Sequence, residues 1–547
     1  MDKTKLQDSL LMGALASSFG IFVSKLLGLF YYTPLSEMAG EANMGFYAFA
    51  YNYYATLLDI SSAGIPFAIA ALVAKYVAKK DYKTVLLVKK LGISVVLALS
   101  VVIGLIFALV ATPLSRQLLG ASAPISDINN LKNLFYILTI AIIAVPFLSS
   151  IRGYVQGLKR LDIYGASQVL EQLTRVLTII LGAYIVVRIM NLETISAIYV
   201  AIGAAAFGAI VAIIFTKYFA RKDEQHVYEL AEKQDFDATK TSKEILKEIL
   251  SIGIPYLIIS FLGSAGPLVN TTFFMDYMDE INGPQAYETA KLSFGILQAN
   301  IAKISNIPSV LALGFGSGMV PYLSESLEQN DYHKITRQIN QILDTVCIIL
   351  VPTIVIFVFF AKDIYFIMYG NNNLQLSSKL FAVSCIQIFL GTIAPVFSSM
   401  MMSLKLRREA IISLIISFIV KVITFFPCVK FYGAYGMIYS SGLYYLAEIL
   451  IQYYCLRVKF KIDVKGASKR LVMITLSSLL MVLPALLIHG LIGFNYTDRV
   501  LDIMIMGGLG IFMLSIYYFV TKKLGLLAKI FELEDVSLIK VLRKYRS

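Results

Sequence analysis

Residues 91–112 read LGISVVLALSVVIGLIFALVAT and include no charged side chain. A helix needs roughly 20 consecutive apolar residues to cross a bilayer core about 30 Å thick, so this stretch predicts a membrane span. The whole chain agrees, because 58% of its 547 residues are hydrophobic and only 15% are charged, whereas soluble chains carry about 25% charged residues. The composition therefore excludes a soluble multidomain protein.

Thirteen further runs of similar character occur along the chain. They predict an all-α polytopic membrane protein with 14 transmembrane helices. The predicted spans are residues 9–33, 44–74, 91–112, 133–151, 163–187, 194–216, 249–275, 292–322, 339–361, 376–402, 409–429, 434–456, 471–490 and 500–521.

The net charge of +13 is explained by topology. With a cytoplasmic N-terminus, 36 of the 48 Lys and Arg residues fall in predicted inside segments and eight in outside segments. Positive residues concentrate on the cytoplasmic side of membrane proteins, so both termini are expected in the cytoplasm. No basic stripe with interleaved aromatic residues is present, and nucleic acid is not an expected partner.

The cysteines and histidines do not suggest a metal site or a cofactor. The four cysteines stand singly without CxxC spacing, and the three histidines are far apart. Neither a disulfide nor a metal site is expected.

The second half of the chain restates the first at offsets of 242 to 250 residues. Gly64-Ile65-Pro66 is matched by Asn306-Ile307-Pro308. Other matches in register pair Asp81-Tyr82 with Asp331-Tyr332, Pro146 with Pro395, Lys159 with Lys405, and Arg175 with Lys421. Five matches in register predict an internal repeat.

The repeat predicts the domain organisation. Spans 1–6 and 7–12 both begin at the cytoplasmic face, so they form parallel six-helix lobes about an axis along the membrane normal, which is a transporter architecture. The predicted parts are an N-lobe (1–217), a cytoplasmic linker (218–248), a C-lobe (249–456), and two C-terminal helices with a basic cytoplasmic tail (457–547).

Several ionisable side chains lie at membrane depth. Each costs about 2.5–3.5 kcal/mol there, and such groups usually face a wet cavity or a partner. The cations are Lys25, Arg175, Lys303 and Lys421, and the acids are Asp59 and Glu171, with Asp344 and Glu448 shallower.

Structural explanations compete with functional ones at these positions. Glu171 and Arg175 are four residues apart on one helix and either neutralise one another or face a cavity. Lys25 either reaches the outer interface or enters the cavity. Lys303 and Lys421 lie near mid-span without an acid three or four residues away, which favours a functional role. Asp344 and Glu448 are close enough to a cytoplasmic helix end to be partly hydrated.

Cations from both lobes that face one cavity would attract an anionic or phosphate-bearing cargo, because charges interact strongly where water is scarce. Prolines near mid-span supply hinges, since each removes a backbone hydrogen bond. The repeat makes Gly64, Pro66 and Pro308 the hinge candidates.

The chain resembles the MurJ-like lipid II flippases of the multidrug/oligosaccharidyl-lipid/polysaccharide (MOP) exporter superfamily, and within it the Gram-positive YtgP/SpoVB branch. The resemblance covers the whole chain. Its motifs are Ser24-Lys25-Leu26-Leu27-Gly28, Gly64-Ile65-Pro66 followed by Leu72-Val73-Ala74-Lys75-Tyr76, and Asn306-Ile307-Pro308 running to Val320-Pro321-Tyr322-Leu323-Ser324.

The resemblance implies a MATE/MurJ-like fold in the bacterial cytoplasmic membrane. It implies that cavity cations bind the pyrophosphate and sugar-peptide head of lipid II, while a groove beside the last two spans takes the polyprenyl tail. Lys25 and Lys303 fall where the family commonly has Arg. Tyr31 and Tyr32 replace a second Arg of span one, and Asn306 replaces an acid found in some relatives.

We therefore predict a non-enzymatic flippase that moves lipid II to the outer leaflet by alternating access, as a monomer. Coupling to the membrane potential or to a monovalent ion is left open. The predicted cavity residues are Lys25, Asp59, Glu171, Arg175, Lys303, Asn306 and Lys421. Alternatives are a flippase for another undecaprenyl-linked polysaccharide or teichoic precursor, a MATE-type multidrug antiporter and, more distantly, a membrane glycosyltransferase.

Overall fold

The protein is α-helical throughout the part of the chain that the structure describes. This computed structural model covers residues 31–62, 64–462, 465–494 and 496–531, with side chains at all of these except 59–62, 255–256, 310–322, 465 and 531. No strand occurs within those ranges, so the all-α prediction is confirmed. The helices are α1 (Tyr32–Ala39), α2 (Glu41–Ser62), α3 (Ile65–Ala78), α4 (Tyr82–Leu119), α5 (Ile125–Gly157), α6 (Leu161–Tyr184), α7 (Ile195–Glu232), α8 (Ser242–Asn282), α9 (Tyr287–Gly295), α10 (Ala302–Glu328), α11 (Tyr332–Phe359), α12 (Ala361–Tyr369), α13 (Leu374–Ser403), α14 (Arg407–Tyr432), α15 (Ala434–Phe460), α16 (Lys465–Ile492), α17 (Arg499–Lys523) and α18 (Leu526–Phe531).

Ten helices in the described residues are long and apolar enough to cross a membrane. They correspond to predicted spans 3–7, 9–11, 13 and 14, and the protein is a multi-pass membrane protein. Span 1 lies mostly outside the described residues. Span 2 is broken between α2 and α3, and span 8 is interrupted by a π-helical segment, Ile296–Ile301. The count of 14 stays a prediction.

The described chain forms two compact units, residues 31–299 and 300–531. This division differs from the lobes predicted from the repeat, because α8, the predicted first helix of the C-lobe, packs with α2, α3 and α4 of the first unit. The first unit therefore contains predicted span 7 and residues 292–299 of predicted span 8.

Glycine determines how α3 packs within the first unit. A Cβ atom on Gly64 would lie 2.2 Å from the carbonyl oxygen of Gly253 on α8, and one on Gly153 of α5 would lie 2.5 Å from the carbonyl oxygen of Pro66. Gly157, one turn further along α5, also meets α3. Small residues let membrane helices approach backbone to backbone, so α3 is held tightly between α5 and α8.

The predicted linker, residues 218–248, is largely helical and docked on the first unit. Its first half continues α7 to Glu232, and its last part begins α8. Asp81 is buried and accepts hydrogen bonds from Thr84, Gln234 and Thr239, with the Thr84 Oγ1 at 2.6 Å and the Gln234 Nε2 at 3.1 Å. Burial raises the pKa of Asp81, but these hydrogen bonds outweigh it and hold the pKa at about 2.

The second unit is built from α10–α18. Helix α10 packs on α11 and α13, α14 packs on α15, and α13 packs on α15. The two C-terminal helices join this unit because α16 packs on α11 and α17 packs on α16. A hydroxyl contact of 3.0 Å joins Ser309 of α10 to Thr392 of α13.

The repeat reappears in the turns that connect helices. Lys80 and Asn330, one residue before the paired Asp81 and Asp331, both have positive φ, at 58° and 55°. Lys159 and Lys405 do the same at 63° and 59°. After each, a backbone N–H bonds the carbonyl five residues earlier, which is the Schellman pattern for ending a helix. The sequence matches therefore correspond to equal local geometry.

Candidate functional site

The structure describes five of the seven predicted cavity residues in full. Lys25 lies outside the described residues. Asp59 lies in α2, but its side chain is outside the described set. The remaining five are Glu171, Arg175, Lys303, Asn306 and Lys421.

Arg175, on α6 of the first unit, lies beside a group of tyrosines. Its Cζ atom is 6.0 Å from the ring centroid of Tyr51, and it interacts electrostatically with the phenols of Tyr31, Tyr47 and Tyr54 as well. We call Tyr31, Tyr47, Tyr51 and Tyr54 the tyrosine cluster. Tyr31 and Tyr47 share a hydroxyl hydrogen bond of 2.8 Å. Tyr31, one of the two tyrosines at the position where the family usually has a second Arg, therefore lies in the surroundings of Arg175.

The Nε–H donor of Arg175 has no hydrogen-bond acceptor among the described residues. The side chain is half-buried, and its Nε is buried. A buried donor without an acceptor costs free energy, and an anionic oxygen would remove that cost. The guanidinium offers several N–H groups in a planar fork that suits phosphate.

Glu171 does not neutralise Arg175. It accepts a 2.6 Å ion-pair hydrogen bond from Arg152 on α5. Arg152 also donates to the Ser167 hydroxyl at 3.0 and 2.9 Å, and Ser167 contacts Thr216 on α7 at 2.7 Å. Of the two alternatives left open by the sequence, pairing along one helix is not what the described contacts show, because Arg152 from a neighbouring helix reaches the Glu171 carboxylate. That Glu171 and Arg175 face the cavity stays a prediction.

Sequence reasoning missed Arg152 because it lies one residue beyond predicted span four, which ends at 151. Helix α5 in fact continues to Gly157, and Arg152 is only 8% exposed. The glycines at 153 and 157, spaced for close helix packing, were the signal that the helix goes on.

Lys421 lies inside the second unit. It is fully buried and donates hydrogen bonds to the hydroxyls of Ser440 and Ser441 on α15, at 2.8 and 2.9 Å. Its ammonium is 5.4 Å from the Phe425 ring centroid. It occupies the interface between α14 and α15.

Lys303 and Asn306 lie near the start of α10, directly after the π-helical segment Ile296–Ile301. Lys303 is half-buried, Asn306 is exposed and Pro308 is buried. Helix α10 continues through Pro308. Interruptions of this kind inside α-helices are frequent at functional sites.

The first hinge candidates lie at the break between α2 and α3. Gly64 precedes the first residue of α3, and Pro66 occupies its first turn, where proline is tolerated. The hinge role of these residues and of Pro308 stays a prediction.

The structure brings only some of the predicted residues together. Arg175 and Glu171 share a helix but have different partners. Over the described ranges, no group of three His, Cys, Asp or Glu side chains is placed to hold a metal.

Glu448, interpreted from sequence as a partly hydrated acid, is buried in the second unit. It accepts from the Ser398 hydroxyl at 2.9 Å and from Gln452 at 3.3 Å, and it is 4% exposed. The interpretation is wrong because Ser398 of α13 and Gln452 of the same helix supply the polar groups that water would have supplied.

Comparison with known proteins agrees with this fold. A family model described as polysaccharide biosynthesis protein matches residues 10–327, and one described as MatE matches residues 299–426. Lipid II flippase MurJ of Bacillus subtilis (strain 168) is 26% identical over 544 residues, covering 96% of this chain and 97% of that protein.

Two solved structures share the architecture. Lipid II flippase MurJ in an inward closed conformation gives a TM-score of 0.63 at 15% identity, covering 93% of this chain and 99% of that one. An inward-facing multidrug resistance MATE family transporter of the MOP superfamily gives 0.62 at 13% identity, covering 81% and 96%. The polytopic MATE/MurJ-like fold is thus confirmed.

Proposed function

Because this chain belongs to the polysaccharide biosynthesis protein family, within the MOP exporter superfamily, we propose that it is a flippase for a lipid-linked glycan precursor. The proposed cargo is lipid II, carried from the inner to the outer leaflet of a bacterial cytoplasmic membrane. Its end-to-end similarity to a lipid II flippase supports this cargo over others.

The structural observation that carries the proposal is the environment of Arg175. A half-buried guanidinium in the membrane-spanning part of the first unit keeps a buried N–H for which the described side chains supply no acceptor, while the nearby carboxylate of Glu171 is paired with Arg152. A pyrophosphate oxygen fits that donor. In the tyrosine cluster, Tyr31, Tyr47 and Tyr54 are buried and Tyr51 is half-buried, so Tyr51 is the member that offers a phenol group and a ring face for the sugars of the head group.

The proposed transport needs no covalent chemistry. The two lobes alternate between inward and outward access while the polyprenyl tail stays in lipid. With both termini in the cytoplasm, as the charge asymmetry favours, an inside-negative potential would assist the outward movement of an anionic head by about 2.3 kcal/mol per charge per 100 mV. Coupling to a monovalent ion and a monomeric state belong to the same proposal.

Depletion of the protein in its native cell tests the function. Lipid II should then accumulate in the inner leaflet, and wild-type protein should restore its outward transfer. At equal expression, Arg175→Gln and Lys303→Ala should fail to restore it. Normal outer-leaflet lipid II after depletion, in a cell shown to have no second flippase, would overturn the proposal.

A multidrug antiporter is the second candidate, since the MatE model matches residues 299–426. Multidrug export protein MepA of Staphylococcus haemolyticus aligns with only 48% of this chain, so the similarity is partial. Efflux of cationic dyes from vesicles, with no movement of lipid II, would favour this candidate.

A further inference from the structure

A polar cavity of about 200 Å³ opens at the end of α11 that is predicted to face the cytoplasm. It lies within the second unit, where α11, α16 and α18 meet, and the sequence analysis assigned it no role. Its lining comprises Arg337, Asn340, Gln341, Asp344, Arg470, Lys529 and Ile530.

The four residues from α11 share one helix face. Their numbers, 337, 340, 341 and 344, follow the spacing of three and four residues that aligns side chains on a helix. Gln341 donates to the carbonyl oxygen of Ile530 at 3.2 Å, which ties α18 to α11. The cavity therefore has walls from three helices that meet at a defined contact.

Positive charge dominates this cavity. Among the residues up to 531 that the structure describes, its lining has three cations, Arg337, Arg470 and Lys529, and one carboxylate, Asp344. The Nε of Arg470 donates to Asp344 at 2.6 Å, and Asp344 is 5% exposed. This ion pair orients the Arg470 guanidinium, whose remaining N–H groups are available for other acceptors.

The cavity also has a suitable size and surroundings for one ligand class. Water occupies about 30 Å³ per molecule, so the space accommodates a phosphate group with several waters. Helix α16 continues from Arg470 with exposed apolar side chains at Leu471, Val472 and Leu476. An acyl chain could lie along this face while its head group remains at the cavity.

We propose that this cavity binds the phosphate of an anionic phospholipid and so joins the two C-terminal helices to α11. Basic pockets between transmembrane helices on the cytoplasmic side bind phospholipid head groups of this kind. The site is separate from the residues proposed for the lipid II head group, and it concerns a lipid that stays bound rather than one that is transported.

Native mass spectrometry of the purified full-length protein, titrated with phosphatidylglycerol, tests this site. Arg337 and Lys529 are exposed, so replacing them leaves the core intact. Each cation near a membrane surface contributes about 1 kcal/mol. The Arg337→Gln/Lys529→Gln variant should therefore bind phosphatidylglycerol roughly 30-fold more weakly, and Lys529→Gln alone about fivefold more weakly.

A matched control removes one Arg and one Lys of the same unit that do not line the cavity. Arg407→Gln/Lys522→Gln should keep its affinity within about threefold, and phosphatidylcholine should bind weakly to every variant. Equal losses in the two double variants would overturn the proposal. Binding of inorganic phosphate at the cavity without a preference for phosphatidylglycerol would overturn the lipid as its source. Neither result depends on flipping, so failure here is distinct from failure of the proposed function.

Discussion

The two units surround repeat-related cations with different hydrogen-bond partners. Arg175 in the first unit and its repeat partner Lys421 in the second are both cations on the helix of predicted span 5 or 11. Arg175 is half-buried, and its Nε has no acceptor in the part of the chain that the structure describes, whereas Lys421 is fully buried and bonded to two hydroxyls. A shared register therefore does not imply a shared role.

The neighbouring positions show where the difference arises. Glu171 corresponds to Ser417 at the same offset of 246 residues, and Arg152 corresponds to Met401 at the offset that relates Pro146 to Pro395. The first unit holds an ion pair where the second has Ser417 bonded to its own helix and Met401 in the core. The extra charge pair occupies Glu171 and leaves Arg175 available.

Removal of Arg152 should produce the largest effect. Arg152→Ala leaves the half-buried Glu171 without its cation, and breaking a buried pair costs up to about 3–5 kcal/mol of the free energy of unfolding. Thermal unfolding in detergent measures the loss. Arg160→Ala, which removes surface ion pairs with Asp162 and Asp223, should cost less than about 1 kcal/mol for each pair. Equal losses would show that Glu171 does not depend on Arg152.

The residues of the second unit suggest a double substitution that should restore the stability lost in Arg152→Ala. Arg152→Met/Glu171→Ser removes both charges and copies the residues found at 401 and 417. It should recover most of the stability lost in Arg152→Ala, because replacing both members of a buried pair is far less costly than removing one.

Transport should separate the two repeat-related cations. A hydrogen bond to a charged group contributes about 1.5–3 kcal/mol, so Arg175→Gln should weaken head-group binding roughly 10- to 100-fold. Lys421→Gln should change head-group binding less than about threefold, because the Lys421 ammonium already donates to the hydroxyls of Ser440 and Ser441. Proteoliposomes that contain labelled lipid II measure both variants, and the reverse ranking would assign the cargo to the second unit.

A third comparison concerns Gly64, at the break between α2 and α3, and its repeat partner Asn306, which follows the π-helical segment. A Cβ on Gly64 would lie 2.2 Å from the Gly253 carbonyl oxygen, so Gly64→Ala should cost about 1–3 kcal/mol through overpacking. Its repeat partner Asn306 is exposed, and Asn306→Ala should stay within about 0.5 kcal/mol. Denaturant unfolding of both variants checks the difference. A harmless Gly64→Ala would mean that α3 and α8 separate freely.

The paired aspartates should show the smallest effect. Asp81 holds the segment after α7 through Gln234 and Thr239, whereas Asp331 caps α11 through the N–H of Lys334. Asp81→Asn should cost about 1 kcal/mol, while Asp331→Asn should cost almost nothing because Asn is an equally good cap.

The Asp81 effect has a defined pH dependence. Its folded pKa of about 2 is below the ordinary 3.8, so its stabilisation is present above about pH 4 and is lost as the pH falls to about 2. Pepsin cleavage of residues 233–241 should therefore increase over that interval in the wild type and change little in Asp81→Asn. Identical profiles would contradict the role of Asp81.

Prediction from sequence worked where a local pattern was sufficient. Apolar runs located the ten spanning helices, and paired motifs at Asp81 and Asp331 located turns of equal geometry. It left the partner of Glu171 open, because the nearest cation in sequence, Arg175, is not the one that pairs with it. It also assigned Arg152 to a loop, since the end of an apolar run does not mark the end of a helix.

The sequence by itself determined that the chain is helical, resides in a membrane and contains a repeat, because hydrophobic length and motif spacing act over tens of residues. Only the tertiary structure decided which buried charges are paired. Arg152 lies 19 residues from Glu171, yet it reaches the carboxylate at 2.6 Å, because helix packing brings together groups whose separation along the chain carries no such signal. The donor left on Arg175 is a consequence of that packing.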